Sequence, residues 1–185
     1  MTKEVSFCAS CGSVNVIKLK IGTRFMFKCN TCGALLPYTF TRGGNLKVGK
    51  LKDGTLMHYS VGAIIKKGKK ILMFDRAYYP FGYACVAGHV KENETYANAI
   101  KREIKEETGL EVIKLKKLLE EDVANNPCSR GVKAHHWVVY EAKCKGSLKP
   151  GEETNKLRYY SLEEIKHLKL EPVWEHFFRK LGVLK

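Results

Sequence analysis

The chain has 185 residues, of which 44% are hydrophobic and 28% charged, a balance that excludes a disordered or fibrous polymer and suits one buried core plus a small accessory module. It contains no apolar run near the ~18 residues that a bilayer crossing needs, and the opening MTKEVSFCASCG has no apolar stretch of signal-peptide length, so a cytoplasmic location and no membrane-embedded role are expected. A formal net charge of +14 predicts attraction to polyanions, a class that includes nucleotides and nucleic acids.

Residues 1–41 hold four of the seven cysteines and alternate polar with apolar residues in VNVIKLKIG and RFMFKCN, the period of strands, so a small β module is expected. Cys8-Ala-Ser-Cys11 and Cys29-Asn-Thr-Cys32 form two C-x-x-C pairs seventeen residues apart, the spacing of a structural four-thiolate Zn2+ site. Gly12 and Gly33 follow the two pairs and permit the tight turn that each knuckle needs. So short a module cannot bury enough apolar surface to fold unaided, and the metal is expected to supply much of its stability. Two disulfides or a redox pair are the competing reading, disfavoured in a cytoplasmic setting. Residues 1–56 carry nine basic and two acidic side chains, 9 − 2 = +7. Lys18, Lys20, Arg24 and Lys28 either offset the negative charge of four thiolates on one zinc ion or meet nucleic acid.

The stretch 42–55, RGGNLKVGKLKDGT, is rich in Gly and Lys with little periodicity and reads as a linker. A second domain over residues 56–185 begins with MHYSVGAIIKK and KKILMFDRA flanking Gly68 as a hairpin, followed by a short apolar strand around Tyr83 to Val86. From Thr95 to Thr108 the pattern becomes helical, with Tyr96, Ile100 and Ile104 at spacing four and Gly109 as the stop. Strands are expected at KLKKLLEE, AHHWVVYEAKC and Arg158 to Ser161, then a helix opened by the capping box of Ser161 and Glu164, and a last helix over Val173 to Leu181.

The chemistry concentrates in the helix. Glu103, Glu106 and Glu107 stand at i, i+3 and i+4, so their carboxylates project from nearly one face. Such crowding destabilises an isolated helix, and hard divalent cations such as Mg2+ or Mn2+ offset it while keeping waters for substrate phosphates. Arg102 beside the trio is placed to hold a carboxylate by a bidentate pair, and Glu94 to meet it from the preceding loop.

Gly88, Glu94, Arg102, Glu103, Ile104, Glu106, Glu107, Gly109 and Leu110 match every position of G-x5-E-x7-R-E-U-x-E-E-x-G-U, with U aliphatic, and this segment resembles the Nudix box of MutT-type hydrolases. The resemblance implies an α/β/α sandwich with a mixed sheet, preceded here by the β zinc ribbon. It implies Glu103, Glu106 and Glu107 as ligands of Mg2+ or Mn2+, the Gly88 carbonyl as a further ligand, and Arg102 and Glu94 as supporting residues. It also implies a pyrophosphohydrolase that cleaves a nucleoside diphosphate linked to another moiety by attack of water on phosphorus. The general base varies within that family. Glu103 is one candidate, and Glu153 in KPGEETNKLRYYSL is another, because Nudix enzymes often bring a glutamate from the loop before an R-W or R-Y strand; the adjacent Glu152 is a third. A zinc ribbon before such a domain, with Val86-Ala-Gly-His-Val90 at the box entrance, is similar to the NADH pyrophosphatase branch. That branch's S-Q-P-W-P-F-P-x-S segment is not matched by residues 120–130, so NADH, NAD, ADP-ribose, related dinucleotides and capped RNA ends all stay open. Nudix domains often dimerise, which puts a homodimer among the expectations. The alternative reading is a nucleotide-sensing or RNA-end-processing protein whose basic ribbon binds nucleic acid.

Other residues read as packing. His135 and His136 alternate in a strand, Cys85, Cys128 and Cys144 are isolated thiols, and Trp174, Phe177 and Phe178 at i, i+3 and i+4 suit a terminal helix covering a core. Tyr78, Tyr79, Phe81 and Tyr83 either pack or stack on a nucleobase.

Overall fold

The computed structural model describes residues 4–184; residues 1–3 and 185, the two ends of the expected domains, lie outside the described residues. In chain order the strands are β1 (Val5–Cys8), β2 (Val16–Ile21), β3 (Arg24–Cys29), β4 (Leu35–Leu36), β5 (Thr39–Arg42), β6 (Val48–Lys50), β7 (Leu56–Lys67), β8 (Lys70–Arg76), β9 (Tyr83–Ala84) and β10 (Val86–His89). Helix α1 (Tyr96–Thr108) follows, then β11 (Glu111–Val123), β12 (Ala134–Lys145), β13 (Thr154–Ser161), α2 (Leu162–Lys166) and α3 (Pro172–Lys180).

The alternation of β7 organises the larger part of the chain. Val61, Ala63 and Ile65 face one core together with Ala99, Ile100 and Ile104 of α1, while Ile64 faces a second core filled by Val173, Trp174, Phe177 and Phe178 of α3. A period-2 strand buried on both faces requires apolar residues at nearly every position, which MHYSVGAIIKK supplies. Gly62 lies under the Trp174 ring, where a Cβ would come within 2.9 Å of the indole. The result is the expected α/β/α sandwich, with α1 on one side of the sheet and α2 and α3 on the other. All three aromatic residues of α3 are fully buried, each contributing roughly 1.5–3 kcal/mol relative to exposure.

The sheet is mixed, in the order β11-β12-β7-β8-β13. β12 runs parallel to β7, with His135 opposite His58 and Val138 opposite Val61. β8 stays paired with β7 only beside the turn, at Lys66 and Lys67. Further along, the same edge of β7 is taken by β10, with Val86 opposite Ala63 and His89 opposite Ser60, and β8 turns away to pair with β9 and β13. This divergence opens the sheet beside β10.

The apolar stretch expected around Tyr83 to Val86 is thus two strands, divided at Cys85 because β9 and β10 pair with different partners. KLKKLLEE lies within a longer strand, since β11 pairs along its whole length with β12. The stretch read as a linker contributes β6, whose Val48 to Lys50 add to β7 opposite Leu56 to His58; three residues are too few to declare themselves by periodicity.

The cysteine-bearing region consists of the β2-β3-β4 sheet and the β1-β5 pair. It packs onto the rest of the chain through Phe25, whose ring stacks on Tyr78 at 4.4 Å and whose N–H donates to the Ala77 carbonyl at 2.8 Å. Arg24 pairs with Asp75 at 2.8 Å. No described helix is long and apolar enough to cross a membrane.

Candidate active site

Two caps set the register of α1. The Thr95 hydroxyl accepts from the Asn98 N–H at 3.2 Å, and Gly109, left-handed at φ 73°, donates its N–H to the Lys105 carbonyl. With Ile100 and Ile104 docked in the core, the helix has one rotational setting. Glu103 and Glu107 then face the opened sheet beside β10, while Glu106 lies on the rim; the Glu103 side chain is 13% exposed and that of Glu106 56%.

Arg102 is held within this setting by ideal fork geometry. Its Nε and one terminal nitrogen each donate to Glu94 at 2.9 Å, one bond to each carboxylate oxygen. The same terminal nitrogen donates to the His89 carbonyl at 3.0 Å, and the other reaches Glu103 and, at 3.3 Å, Glu106. Glu94 also accepts from the Lys91 N–H at 3.0 Å. Hydrogen bonds from Arg102 hold the Glu94 carboxyl below its ordinary range. Gly88 is required by close approach: a Cβ there would lie 1.9–2.4 Å from the Glu103 carboxyl.

The loop before β13 docks on the C-terminal end of α1. Gly151 N–H donates to the Glu107 carbonyl at 3.1 Å and Lys149 N–H to the Thr108 carbonyl at 2.8 Å, satisfying two carbonyls that the helix leaves open. This docking carries Glu153 to a cavity of about 470 Å3 that Gly88, Arg102, Glu103, Glu106 and Glu107 also line. Glu152 does not line it, and Glu94 stands behind it, gripping Arg102.

The carboxyls of this cavity are crowded. Burial, opposed by Arg102, raises the Glu103 carboxyl to about 7. Glu107 is part-exposed toward the cleft and accepts from the Ala87 N–H at 3.3 Å, yet burial and the charges of Glu103 and Glu153 push its carboxyl well above the usual range. Glu153 is an exposed residue overall, yet burial around its carboxyl raises it despite Arg76, Arg130 and Lys18. Several oxygen donors that resist ionising together form a fitting set for a hard divalent cation, which replaces the shared protons.

The cavity also has cationic side chains. Arg76, Arg130 and Lys18 line the same cavity, and Arg76 Nε is buried with no hydrogen-bond partner among the described residues. Arg130 pairs with Glu4, another lining residue, at 2.6 Å; carboxylates and guanidinium groups around one cavity can hold a metal ion and the phosphates bound to it. The sequence reading missed Arg76 and Arg130. Arg76 ends an apolar strand and was visible only as a boundary, while Arg130 sits in a loop with no pattern.

The four-cysteine expectation is met geometrically. Cys8 and Cys32 sulfurs lie 3.8 Å apart and those of Cys11 and Cys29 3.7 Å apart. These separations match the ~3.8 Å edge of a tetrahedron with Zn–S bonds of ~2.3 Å and are far beyond a disulfide bond. Gly12 and Gly33 return their N–H groups to the Cys8 and Cys29 carbonyls at 2.9 and 3.0 Å. Backbone N–H groups of Cys32 and Thr31 lower the Cys29 thiol to about 6, favouring the thiolate that a metal binds. Of the basic side chains nearby, Lys18, which is exposed, donates to the Tyr78 hydroxyl at 3.1 Å and Arg24 pairs with Asp75, so both reach the larger part of the chain. Tyr78 has its face on Phe25, and Tyr83 meets Tyr160 edge to face.

Beside His89, His58 and His135 are buried side by side, and His89 and His135 line the same cavity as the carboxylates. Burial, aided by the Arg130 charge, lowers His58 to about 4; burial, aided by His58, lowers His135 to about 3. His136 instead faces outward, bonded to Asp122 at 2.7 Å and packed on Tyr59 and Tyr96.

Comparison with known proteins agrees with this geometry. The model of the NUDIX domain matches residues 56–181. An ADP-ribose pyrophosphatase from Methanocaldococcus jannaschii is 35% identical over 113 residues, covering 59% of this chain and 64% of that protein; the chain thus spans less than two thirds of this relative's length. Among solved structures, a MutT NUDIX hydrolase from Burkholderia pseudomallei aligns with a TM-score of 0.57 at 21% identity, over 69% of this chain and 97% of that one. The NUDIX domain of Shewanella oneidensis NrtR, complexed with ADP ribose, aligns with a TM-score of 0.52 at 16% identity, over 65% and 83%. Both are likenesses of fold. Because the family match spans most of the chain and includes the whole carboxylate helix, this chain belongs to the Nudix hydrolase family.

Proposed function

We propose that the chain is a divalent-metal-dependent pyrophosphohydrolase acting on a nucleoside diphosphate linked to a second moiety, with ADP-ribose as the first substrate to test. The observation that carries this reading is the gathering of Glu103, Glu107 and Glu153 with Arg76 and Arg130 around one cavity. The ADP-ribose preference is supported by the 35% identical ADP-ribose pyrophosphatase; NADH, NAD and related dinucleotides remain substrates of the same chemical class.

In this reading Glu103, Glu106 and Glu107 hold Mg2+ or Mn2+, with the Gly88 carbonyl beside them. The bound ion supplies charge stabilisation at the phosphoryl group and lowers the pKa of water. Arg76 and Arg130 orient the diphosphate and balance charge that develops on its oxygens. Glu153, outside the helix trio and with an elevated pKa, accepts the proton of the attacking water. Arg102 and Glu94 are positioning residues, keeping the Glu103 carboxylate at the Gly88 backbone. The products are a nucleoside monophosphate and a phosphorylated fragment. Zn2+ at Cys8, Cys11, Cys29 and Cys32 is structural, since four thiolates close its coordination.

The test is hydrolysis of a panel of ADP-ribose, NADH, NAD, FAD, diadenosine polyphosphates and NAD-capped RNA, with Mg2+ or Mn2+. Metal-dependent release of a nucleoside monophosphate supports the reading and ranks the substrates. Silence across the panel, with salt-dependent RNA binding, would replace it with the nucleic-acid alternative.

A further inference from the structure

Three histidines and a cysteine from four separate segments meet behind the entrance to α1. His58 is on β7, His135 is directly opposite it on the parallel strand β12, His89 ends β10, and Cys128 lies in the loop between β11 and β12. One ligand atom from each lies within 4.8 Å of all the others. The ring centroids are 5.0 Å apart for His58 and His89, 5.8 Å for His58 and His135, and 5.5 Å for His89 and His135. The Cys128 sulfur is 3.9 Å from His58 Nδ1.

Three further observations set this cluster apart from ordinary packing. His89 Nε2 is buried and has no hydrogen-bond partner among the described residues. His135 Nδ1 faces the Asn126 carbonyl at 2.8 Å; a carbonyl only accepts, so Nδ1 carries the proton and Nε2 keeps its lone pair for the cluster, the way a backbone carbonyl orients a metal-binding imidazole. Third, the Cys128 sulfur accepts from the backbone N–H two residues on, as the first cysteine of the four-cysteine site does. Ser10 N–H donates to the Cys8 sulfur at 3.4 Å, and Arg130 N–H donates to the Cys128 sulfur at the same 3.4 Å. Gly12 N–H returns to the Cys8 carbonyl at 2.9 Å and Gly131 N–H to the Cys128 carbonyl at 3.1 Å, with both glycines at positive φ, 74° and 90°. The glycine return spans four residues at Cys8 and three at Cys128, so the shared feature is the N–H bond to the sulfur, while the remaining donors at the cluster come from imidazoles.

We propose that His58, His89, His135 and Cys128 form a second tetrahedral transition-metal site, for Zn2+, with a ligand set separate from the four cysteines and from the carboxylates, in the wall of the cavity that His89, Cys128 and His135 also line. Three imidazoles and one thiolate are donors for zinc, whereas the oxygen donors of the cavity suit magnesium or manganese. Binding replaces the thiol proton, which leaves to solvent, by the metal–sulfur bond. Four protein ligands leave no open position, so the ion is structural. It fastens the loop that carries Arg130 to the central sheet, and that loop in turn holds β5, through Thr39 N–H to Ser129 O at 3.2 Å and Thr41 N–H to Arg130 O at 3.3 Å. The ion therefore links the cysteine-bearing region to one wall of the cavity.

The experiment uses the untagged full chain, incubated with excess zinc and then dialysed against magnesium. Zinc per chain is counted and the zinc X-ray absorption spectrum recorded. The expected result is about two zinc ions per chain, with a mixed first shell and imidazole outer-shell scattering; the two ligand sets together supply five sulfurs and three imidazoles. Cys128→Ala and His135→Ala are each expected to lower the content to about one ion with an all-sulfur shell. About one zinc per chain in the unaltered protein, with an all-sulfur shell, overturns the proposal, as does retention of the second ion by folded Cys128→Ala. If either variant does not fold, the spectrum of the unaltered chain alone decides, because an imidazole signal is present or it is not.

Discussion

Arg102 binds Glu94 through two parallel hydrogen bonds of 2.9 Å and, with one of the same nitrogens, the backbone of His89. One guanidinium thus ties the loop before α1, the end of β10 and the carboxylate of Glu103 into a rigid unit. Lys cannot replace it, since a point charge makes neither the fork nor the third contact. Arg102→Lys and Glu94→Gln are each expected to lower kcat about 10- to 100-fold, the usual cost of losing support behind a metal ligand. KM for the nucleotide should change much less; a change confined to KM would contradict a positioning role.

Glu153 is expected to set the acidic limb of the pH–rate profile. Its carboxyl is raised above the ordinary range by burial, so a base there gains activity as pH rises through that elevated pKa. Glu153→Gln should lower kcat by about 10²–10⁴ and remove the limb, whereas Glu152→Gln should leave both. A limb that persists unchanged in Glu153→Gln assigns the base to Glu103.

Divalent metal should stabilise the fold, and more at alkaline than at acidic pH. Glu103 is raised to about 7 in the folded, metal-free chain. An acid raised on folding contributes stability that is present below its unfolded pKa and lost as pH rises through the folded one. A cation offsets that loss by neutralising the carboxylates, and occupancy at 100 times Kd stabilises by about 2.7 kcal/mol. The Tm increase with magnesium is therefore expected to be larger near pH 8 than near pH 5, and an equal shift at both would count against a carboxylate site.

Glu171, which lines the same cavity, offers a second pH dependence. It is buried, one of its oxygens has no hydrogen-bond partner among the described residues, and burial, opposed by Arg76, raises it to about 7. Its contribution is lost as pH rises from the ordinary carboxylate range through about 7. Glu171→Gln should flatten that part of the stability profile and make the chain more stable by roughly 1–3 kcal/mol above it. Denaturant unfolding across that range checks this, and a less stable variant at alkaline pH would mean that the ionised carboxylate is satisfied.

What could be read in the sequence is what local spacing encodes. Thr95, Gly109 and the i, i+3, i+4 glutamates belong to one helix, and each C-x-x-C pair to one turn, so chain distance and spatial distance coincide. The meeting of Glu153 with the trio depends on loop amides docking at the end of α1, and its place was legible only through resemblance. The cluster of His58, His89, Cys128 and His135 had no local signal at all. It arises because β10 and β12 pair with opposite edges of β7, which brings together residues up to 77 positions apart. His135 read as strand packing and Cys128 as an isolated thiol because neither has a partner within a turn of chain.

The most direct measurement is ADP-ribose hydrolysis by Glu107→Gln and Glu103→Gln beside the unaltered chain, with magnesium and with folding verified by circular dichroism. The account predicts AMP and a phosphorylated sugar from the unaltered chain, none without divalent metal, and turnover abolished in both folded variants. Undiminished turnover in both variants would contradict it, because the carboxylates of α1 would then not hold the metal on which the chemistry depends.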